Sequence, residues 1–311
     1  MWLKRISALL MVLALLGVAI PSAQAQSATD VAWDSSVTYY TPDSEGGTLQ
    51  VDYYAEDGTK YSADPITLSG NKAGSLYIGS VGALPSSFGG AAVLSAHVPI
   101  VATNVQFAAG AEAGNYARAL YSGFGPSMAA TPFYVPTVLL NTFNTISRIG
   151  VQNVESFEIE ATLTFKELGE ADIVHTVDIP AQSSYIFMPD DIPGMRDPFN
   201  GSLVVEAHKK GDPATDGRVV AVSQEGLVSG RAAYAFEGVA GGSTKVYMAS
   251  MLCNYRSENQ ISYYAIQNAS TTDTPTDVSI TYYDTDGNEV GDDERLALGA
   301  GAKWSANPCA A

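Results

Sequence analysis

Basic residues are scarce. Sixteen Lys and Arg stand against 33 Asp and Glu, giving a formal net charge of -17, and no segment concentrates the cations. Nucleic acids and anionic bilayers are bound through clustered Lys and Arg, so both are poor partners for this chain. Cysteine is nearly absent, with only Cys253 and Cys309. The three histidines, His97, His175 and His208, lie far apart, and no His or Cys spacing announces a zinc site. Beyond the first 25 residues no stretch approaches the roughly 18 apolar residues of a membrane-spanning helix. There is no Gly-x-Ser-x-Gly elbow, and Ala240-Gly-Gly-Ser-Thr-Lys245 lacks the phosphate-loop spacing and reads as a connector. Carboxylates are so common that no pair stands out as an acid-base dyad. The expectation is a non-enzymatic protein with no required cofactor.

What is present begins at the N-terminus. Lys4 and Arg5, the apolar run Ala8 to Ile20 and the small-residue site Ala23-Gln-Ala25 form a Sec-type signal peptide over residues 1–25. Its removal takes Lys4 and Arg5 away and leaves a mature chain from Gln26 with a formal charge of -19. No Cys follows the apolar run, so nothing suggests a lipoprotein. The expected location is extracellular or at the cell surface. In that oxidising setting Cys253 and Cys309 are expected to form a bridge.

The body of the sequence is rich in Tyr, Thr, Ser, Val and Gly, which suits short strands and turns. A strand-turn-strand cassette occurs three times. Leu49, Val51, Tyr53; Ala161, Leu163, Phe165; and Val278, Ile280, Tyr282 alternate with period two, the mark of half-buried strands. The turns follow at Glu56-Asp-Gly58, near Gly169, and at Asp284-Thr-Asp-Gly-Asn288. Asn141 to Asn254 spans 113 residues, Val151 to Ile266 spans 115, and Phe88 to Phe199 spans 111. One architecture reused at a fixed period explains that agreement. The expected division is a signal helix at 1–25, β-sandwich units at 26–130 and 131–243, and a partial third unit at 244–311 that lacks the counterparts of Phe199 to Gln224. The chain is then a fragment of a longer protein, or a partner strand completes the third unit.

Two local expectations complete the outline. Tyr134 to Asn141 and Ser147 to Asn153 are expected to form a hairpin-like opening of the second unit, with Pro136 on an edge. Ala108 to Ala130, with Gly110, Gly114, Gly123 and Gly125, reads as a long surface loop or a boundary region between units.

Ile149-Gly-Val-Gln-Asn153, Ile266-Gln-Asn268, Tyr282-Tyr-Asp-Thr-Asp-Gly287 and Phe199-Asn-Gly-Ser202 together resemble tandem immunoglobulin-like or fibronectin-like β-sandwich repeats of secreted and cell-surface bacterial proteins. The Cys and Trp pattern of antibody domains is absent. The resemblance implies an all-β fold of antiparallel two-sheet sandwiches and a scaffold, spacer or adhesive role. It supplies no catalytic residue. The alternative is a carbohydrate-binding accessory region of a larger secreted hydrolase. Expected partners are a cell-surface protein or glycan, or a second copy through β edges.

Two residue sets are candidates for contact. Asp284, Asp286 and Asn288 offer oxygen ligands to calcium, although Gly287 is fourth in the loop rather than sixth and no Glu stands at position twelve. A tight β-turn is the competing reading. The doublets Tyr39-Tyr40, Tyr53-Tyr54, Tyr263-Tyr264 and Tyr282-Tyr283 place neighbouring rings on opposite faces of a strand. Tyr40, Tyr54, Tyr264 and Tyr283 are the expected outward members, available for packing, for contact between units or chains, or for sugars.

Overall fold

The computed structural model describes residues 33–108, 117–227, 232–257, 259–272 and 274–309. The signal peptide expected at 1–25 lies outside them. The described chain is nearly all β, with several antiparallel sheets, and its helical residues are confined to three short 3-10 turns.

The first unit contains β1 (Trp33–Thr41), β2 (Gly47–Ala55), β3 (Lys60–Ser62), β4 (Ile66–Leu68), β5 (Lys72–Tyr77), β6 (Gly90–Ala96), β7 (Val101–Ala108) and β8 (Arg118–Ser122). One sheet runs β5-β1-β7-β8; the other centres on β2, with β3 and β4 sharing one edge and β6 on the opposite edge. Leu49, Val51 and Tyr53 point inward as the alternation requires, and they pack with Leu68, Tyr39, Leu76 and Leu94 from both sheets. This is face-to-face sandwich packing.

The second unit contains β9 (Phe133–Leu140), β10 (Thr145–Asn153), β11 (Ile159–Glu167), β12 (Ile173–Ile179), β13 (Ser184–Phe187), β14 (Phe199–Lys209), β15 (Asp212–Asp216), β16 (Val219–Leu227) and β17 (Ala233–Glu237). Its sheets run β13-β10-β16-β17 and β12-β11-β14-β15, with β9 also paired to β14. Strand for strand, β10, β11, β12, β13, β14, β16 and β17 stand to one another as β1, β2, β3 with β4, β5, β6, β7 and β8 do. Ala161, Leu163 and Phe165 are completely buried, in a core that draws Ile149, Val151, Leu203, Val205 and Val219 from both sheets.

Residues 264–306 carry β18 (Tyr264–Gln267), β19 (Thr276–Tyr283), β20 (Glu289–Leu298) and β21 (Lys303–Ala306). Among the described residues β18 pairs only with β21, and β19 only with β20. Tyr264, Tyr282 and Ala306 form a small core between the two ribbons.

Three expectations are corrected. First, β9 and β10 are not a hairpin. Asn141, Phe143 and Asn144 take positive φ of 50°, 54° and 56°, which carries the chain out of one sheet and into the other. One bond, Leu139 N–H to Ser147 Oγ at 2.9 Å, ties the two strands together. Pro136 does lie on an edge strand, at a bulge where Pro136 and Thr137 oppose Ser202 alone; a residue without an N–H fits there. Second, the segment from Ala108 to Ala130 is not simply loop. It contains β8, whose Ala119, with Ala117 just before the strand, is buried against Ala233 of the second unit; residues 109–116 lie outside the described residues. Third, the partial unit expected to begin at residue 244 does not open on a strand: Lys245 to Cys253 adopts no regular strand. In the second unit the corresponding β9 is held by β14, and among the described residues no strand takes the place of β14 in the third unit.

Candidate interaction surface

The turn between paired strands is built alike in all three units. Gly58, Gly169 and Gly287 follow β2, β11 and β19 with φ of 87°, 85° and 85°, a left-handed conformation that glycine adopts without a Cβ clash. In the third unit the turn is closed by Asp284. Its Oδ1 accepts from the backbone N–H of Asp286 (2.9 Å) and of Asn288 (2.8 Å), and its Oδ2 from Asn288 Nδ2 (3.1 Å). The Asn288 side-chain bond and those backbone donors hold the Asp284 carboxyl below the usual carboxylate range. Among the described residues no group of three potential His, Cys, Asp or Glu ligands converges.

A second shared device sits at the strand ends. Asn153 N–H donates to Ser183 O (2.9 Å), its Oδ1 accepts from Glu155 N–H (2.8 Å), and its Nδ2 donates to Phe157, Ile179 and Pro180 carbonyls. Asn268 repeats this with Ala302 O (3.0 Å), Ser270 N–H (3.0 Å), Thr274 O and Leu298 O. Both asparagines are buried. They satisfy backbone groups that β-strand pairing leaves open.

The second and third units meet through a polar contact. Ser202 Oγ, freed by the β9 bulge, donates to Gly301 O at 2.6 Å, and Gln267 Nε2 bonds both Gly301 O (2.9 Å) and Leu203 O (3.2 Å). Gly301 has φ of 71°, and an added Cβ would meet Lys166 Cδ at 2.6 Å. Buried Lys303 donates to Asn200 Oδ1 at 2.7 Å. Burial lowers the Lys303 ammonium to about 8, against the pull of Glu225 and Glu167. Burial likewise raises Glu225 to about 7, partly offset by Lys303; its Oε1 is enclosed without a hydrogen bond. Cys253 and Cys309 are disulfide-bonded, tying the entry of the third unit to the residues after β21.

The tyrosine doublets divide unevenly. Tyr40 lies at the margin of exposure, and Tyr54 is half-buried beside Lys60 Nζ, 5.8 Å from the ring centre. Tyr283 is 59% exposed, as expected of an outward ring, but Tyr264 is only 8% exposed and the outward member of its doublet is Tyr263. The phase is set by pairing: Tyr264 opposes Ala306 and packs with Tyr282. Tyr263 stacks on Phe143 across the contact between units, centroids 6.4 Å apart and planes at 25°, and the two rings are 65% and 68% exposed. Sequence reasoning missed Phe143 because its placement follows from the left-handed turn rather than from strand alternation.

A crevice of about 20 Å³ between Trp33, Arg148 and Met188 has room for little more than a water. A wide depression of about 280 Å³ is lined by Thr131, Glu206, His208, Pro213 and Asp216. His97 lies in the first unit and His175 on β12 beside Tyr185, while His208 on β14 faces Glu160 at 3.4 Å. The three therefore do not converge. No helix among the described residues is long and apolar enough to cross a membrane.

With this geometry in hand, comparisons with protein families, with characterised proteins and with solved structures return no match.

Proposed function

We infer that the chain is a non-enzymatic, exported scaffold or spacer that presents an interaction surface outside the cell. Its sandwich units reuse one plan, and the shared strand order and the paired Asn153 and Asn268 contacts support that reading. The observation that carries the function is where the exposed apolar groups lie. Exposed large apolar groups are densest in the third unit, where Tyr247, Met248, Tyr263 and Tyr283 lie and where strand edges are unpaired among the described residues, with Phe143 stacked on Tyr263 beside it; Val101, Leu120, Val174 and Tyr234 are exposed on the other two units. Exposed aromatic and apolar groups next to open edges suit partner contact. We assign Asp284, Asp286 and Asn288 to hairpin closure in preference to calcium, because the Asp284 oxygens are already engaged by the turn.

A second reading, glycan binding as part of a larger hydrolase, draws on the Phe143 and Tyr263 ring pair, which could stack on a sugar face. Two measurements separate the readings. Protease shaving of intact source cells is expected to release peptides of this chain, and their absence overturns surface display. A polysaccharide pull-down is expected to retain nothing; retention lost in Phe143→Ala and Tyr263→Ala favours the glycan reading.

A further inference from the structure

The contact between the second and third units holds three groups whose chemistry the scaffold reading leaves unused. Lys303, on β21, is only 6% exposed. Among the described residues its Nζ makes one hydrogen bond, to Asn200 Oδ1 of β14 at 2.7 Å, across 103 positions of sequence. An ammonium carries three protons, so a single acceptor in a buried place leaves two of them unsatisfied and favours the neutral amine. Oδ1 is bonded to the side-chain amide carbon, which puts the nitrogen within about 4 Å of that carbon, near the roughly 3–3.5 Å of an attacking pair.

The backbones on both sides are pinned. Ser202, two residues after Asn200, donates its Oγ at 2.6 Å to the carbonyl of Gly301, two residues before Lys303. Gln267, opposite Lys303 on β18, bonds the same carbonyl at 2.9 Å. The amine and the amide are therefore held together before any reaction, the condition under which acyl transfer within one molecule is fast. Two carboxyl groups act on Lys303, those of Glu225 and Glu167. Glu167 is already committed to Arg196 Nε at 2.7 Å and to the Asn200 N–H at 3.1 Å. Glu225 Oε1, by contrast, is enclosed without a hydrogen bond. Burial raises Glu225 to about 7 and lowers Lys303 to about 8, so one proton shift between them yields a free amine beside a carboxylic acid. Those are a nucleophile and a proton donor.

We propose that Lys303 and Asn200 join in an isopeptide bond between the second and third units, formed by the folded chain itself with Glu225 as the proton carrier. Lys303 Nζ adds to Asn200 Cγ as the Glu225 acid protonates Oδ1. Glu225 then takes a proton from the attacking nitrogen and passes it to Nδ2. The Cγ–Nδ2 bond breaks, ammonia leaves, and the Oδ1 proton returns to Glu225 as the carbonyl re-forms. One C–N bond replaces another, nothing is oxidised or reduced, and the reaction occurs once per chain, so it gives no turnover. The bonded nitrogen no longer titrates, and the pH response of Lys303 belongs to the unbonded state. The inference goes beyond the scaffold reading and stands independently of it; for a spacer, it means that a pull on one unit reaches the next through a covalent tie.

The test is a peptide map of the mature chain, reduced and digested with trypsin. Tandem mass spectrometry is expected to find residues 197–209 joined to residues 296–311 in one branched peptide, lighter than the two together by one ammonia, in most of the chains. Lys303→Arg and Asn200→Ala are expected to give only separate peptides. Glu225→Gln, shown to be folded by circular dichroism, is expected to give at least about tenfold less of the branched peptide. Unbranched peptides alone from the wild-type chain, ammonia lost from residues 197–209 alone by ring closure at Asn200-Gly201, or the branched peptide at wild-type yield in Glu225→Gln would each overturn the proposal.

Discussion

The second and third units set out from nearly the same strands and reach different degrees of burial. Ala161, Leu163 and Phe165 on β11 are sealed, because β14 lies on one side and the opposite sheet supplies Ile149, Val151 and Val219. On β19 the same alternation places Val278, Ile280 and Tyr282 inward, yet only Tyr282 is buried. Alternation therefore decides which face a side chain takes, and neighbouring strands decide whether that face becomes core. Burial of apolar area stabilises by roughly 25 cal/mol per Å², so the two β ribbons of the third unit lean on other supports: the disulfide, the Asn268 contacts and the polar contact with the second unit.

The largest expected contrast comes from truncating the matched core positions. Leu163→Ala should cost the second unit about 3 kcal/mol, in the range for a sealed leucine. Ile280→Ala should cost the third unit less than about 1.5 kcal/mol, and native-state hydrogen exchange resolves the units separately. Equal costs would break the comparison. The asparagines come next. Asn153→Ala leaves several buried carbonyls without a donor and should cost about 2 kcal/mol, while Asn268→Ala, in more open surroundings, should cost about 1 kcal/mol. Thr41, at the end of β1 in the first unit, has a buried hydroxyl with no partner, so Thr41→Val should leave stability unchanged or slightly raised.

The contact between units gives a pH signature of smaller size. Glu225 is raised to about 7, so the folded form holds its proton more tightly than the unfolded chain, and stability falls as pH rises from the ordinary carboxylate range through 7. Lys303 is lowered to about 8, so its cost is present below 8 and is relieved as pH climbs from 8 toward the ordinary lysine range. The contact should be weakest between pH 7 and 8, by on the order of 1–2 kcal/mol. Glu225→Gln should flatten the acid limb of the melting profile, and an unchanged limb would remove Glu225 from the account. The smallest effect is expected at the turn, where Asp284→Ala should speed hydrogen exchange at residues 284–288 and leave β11 untouched.

Much of the fold was legible because period-two alternation survives wherever large apolar side chains carry it, as at Leu49, Val51 and Tyr53. β8 was not legible, since Ala117 and Ala119 are too small to mark a face, and their burial depends on Ala233 of another unit. The partner of β9 was equally hidden: adjacency in sequence suggested β10, and only the left-handed turn at Asn141, Phe143 and Asn144 sends the chain to the other sheet. The doublet Tyr263-Tyr264 announced one inward ring but not which one, because that depends on the register with β21. Glu225, half-buried with an enclosed Oε1, and buried Lys303 lie 78 positions apart and carry no local signal.

Hydrogen exchange along β11 and β19 addresses the difference between the sealed and open units most directly. In β11 every amide should exchange only through global opening of the second unit. In β19, the amides whose β11 counterparts bond to β14 should exchange orders of magnitude faster than those bonded to β20. Uniform slow exchange along β19 in the isolated monomer would contradict the account.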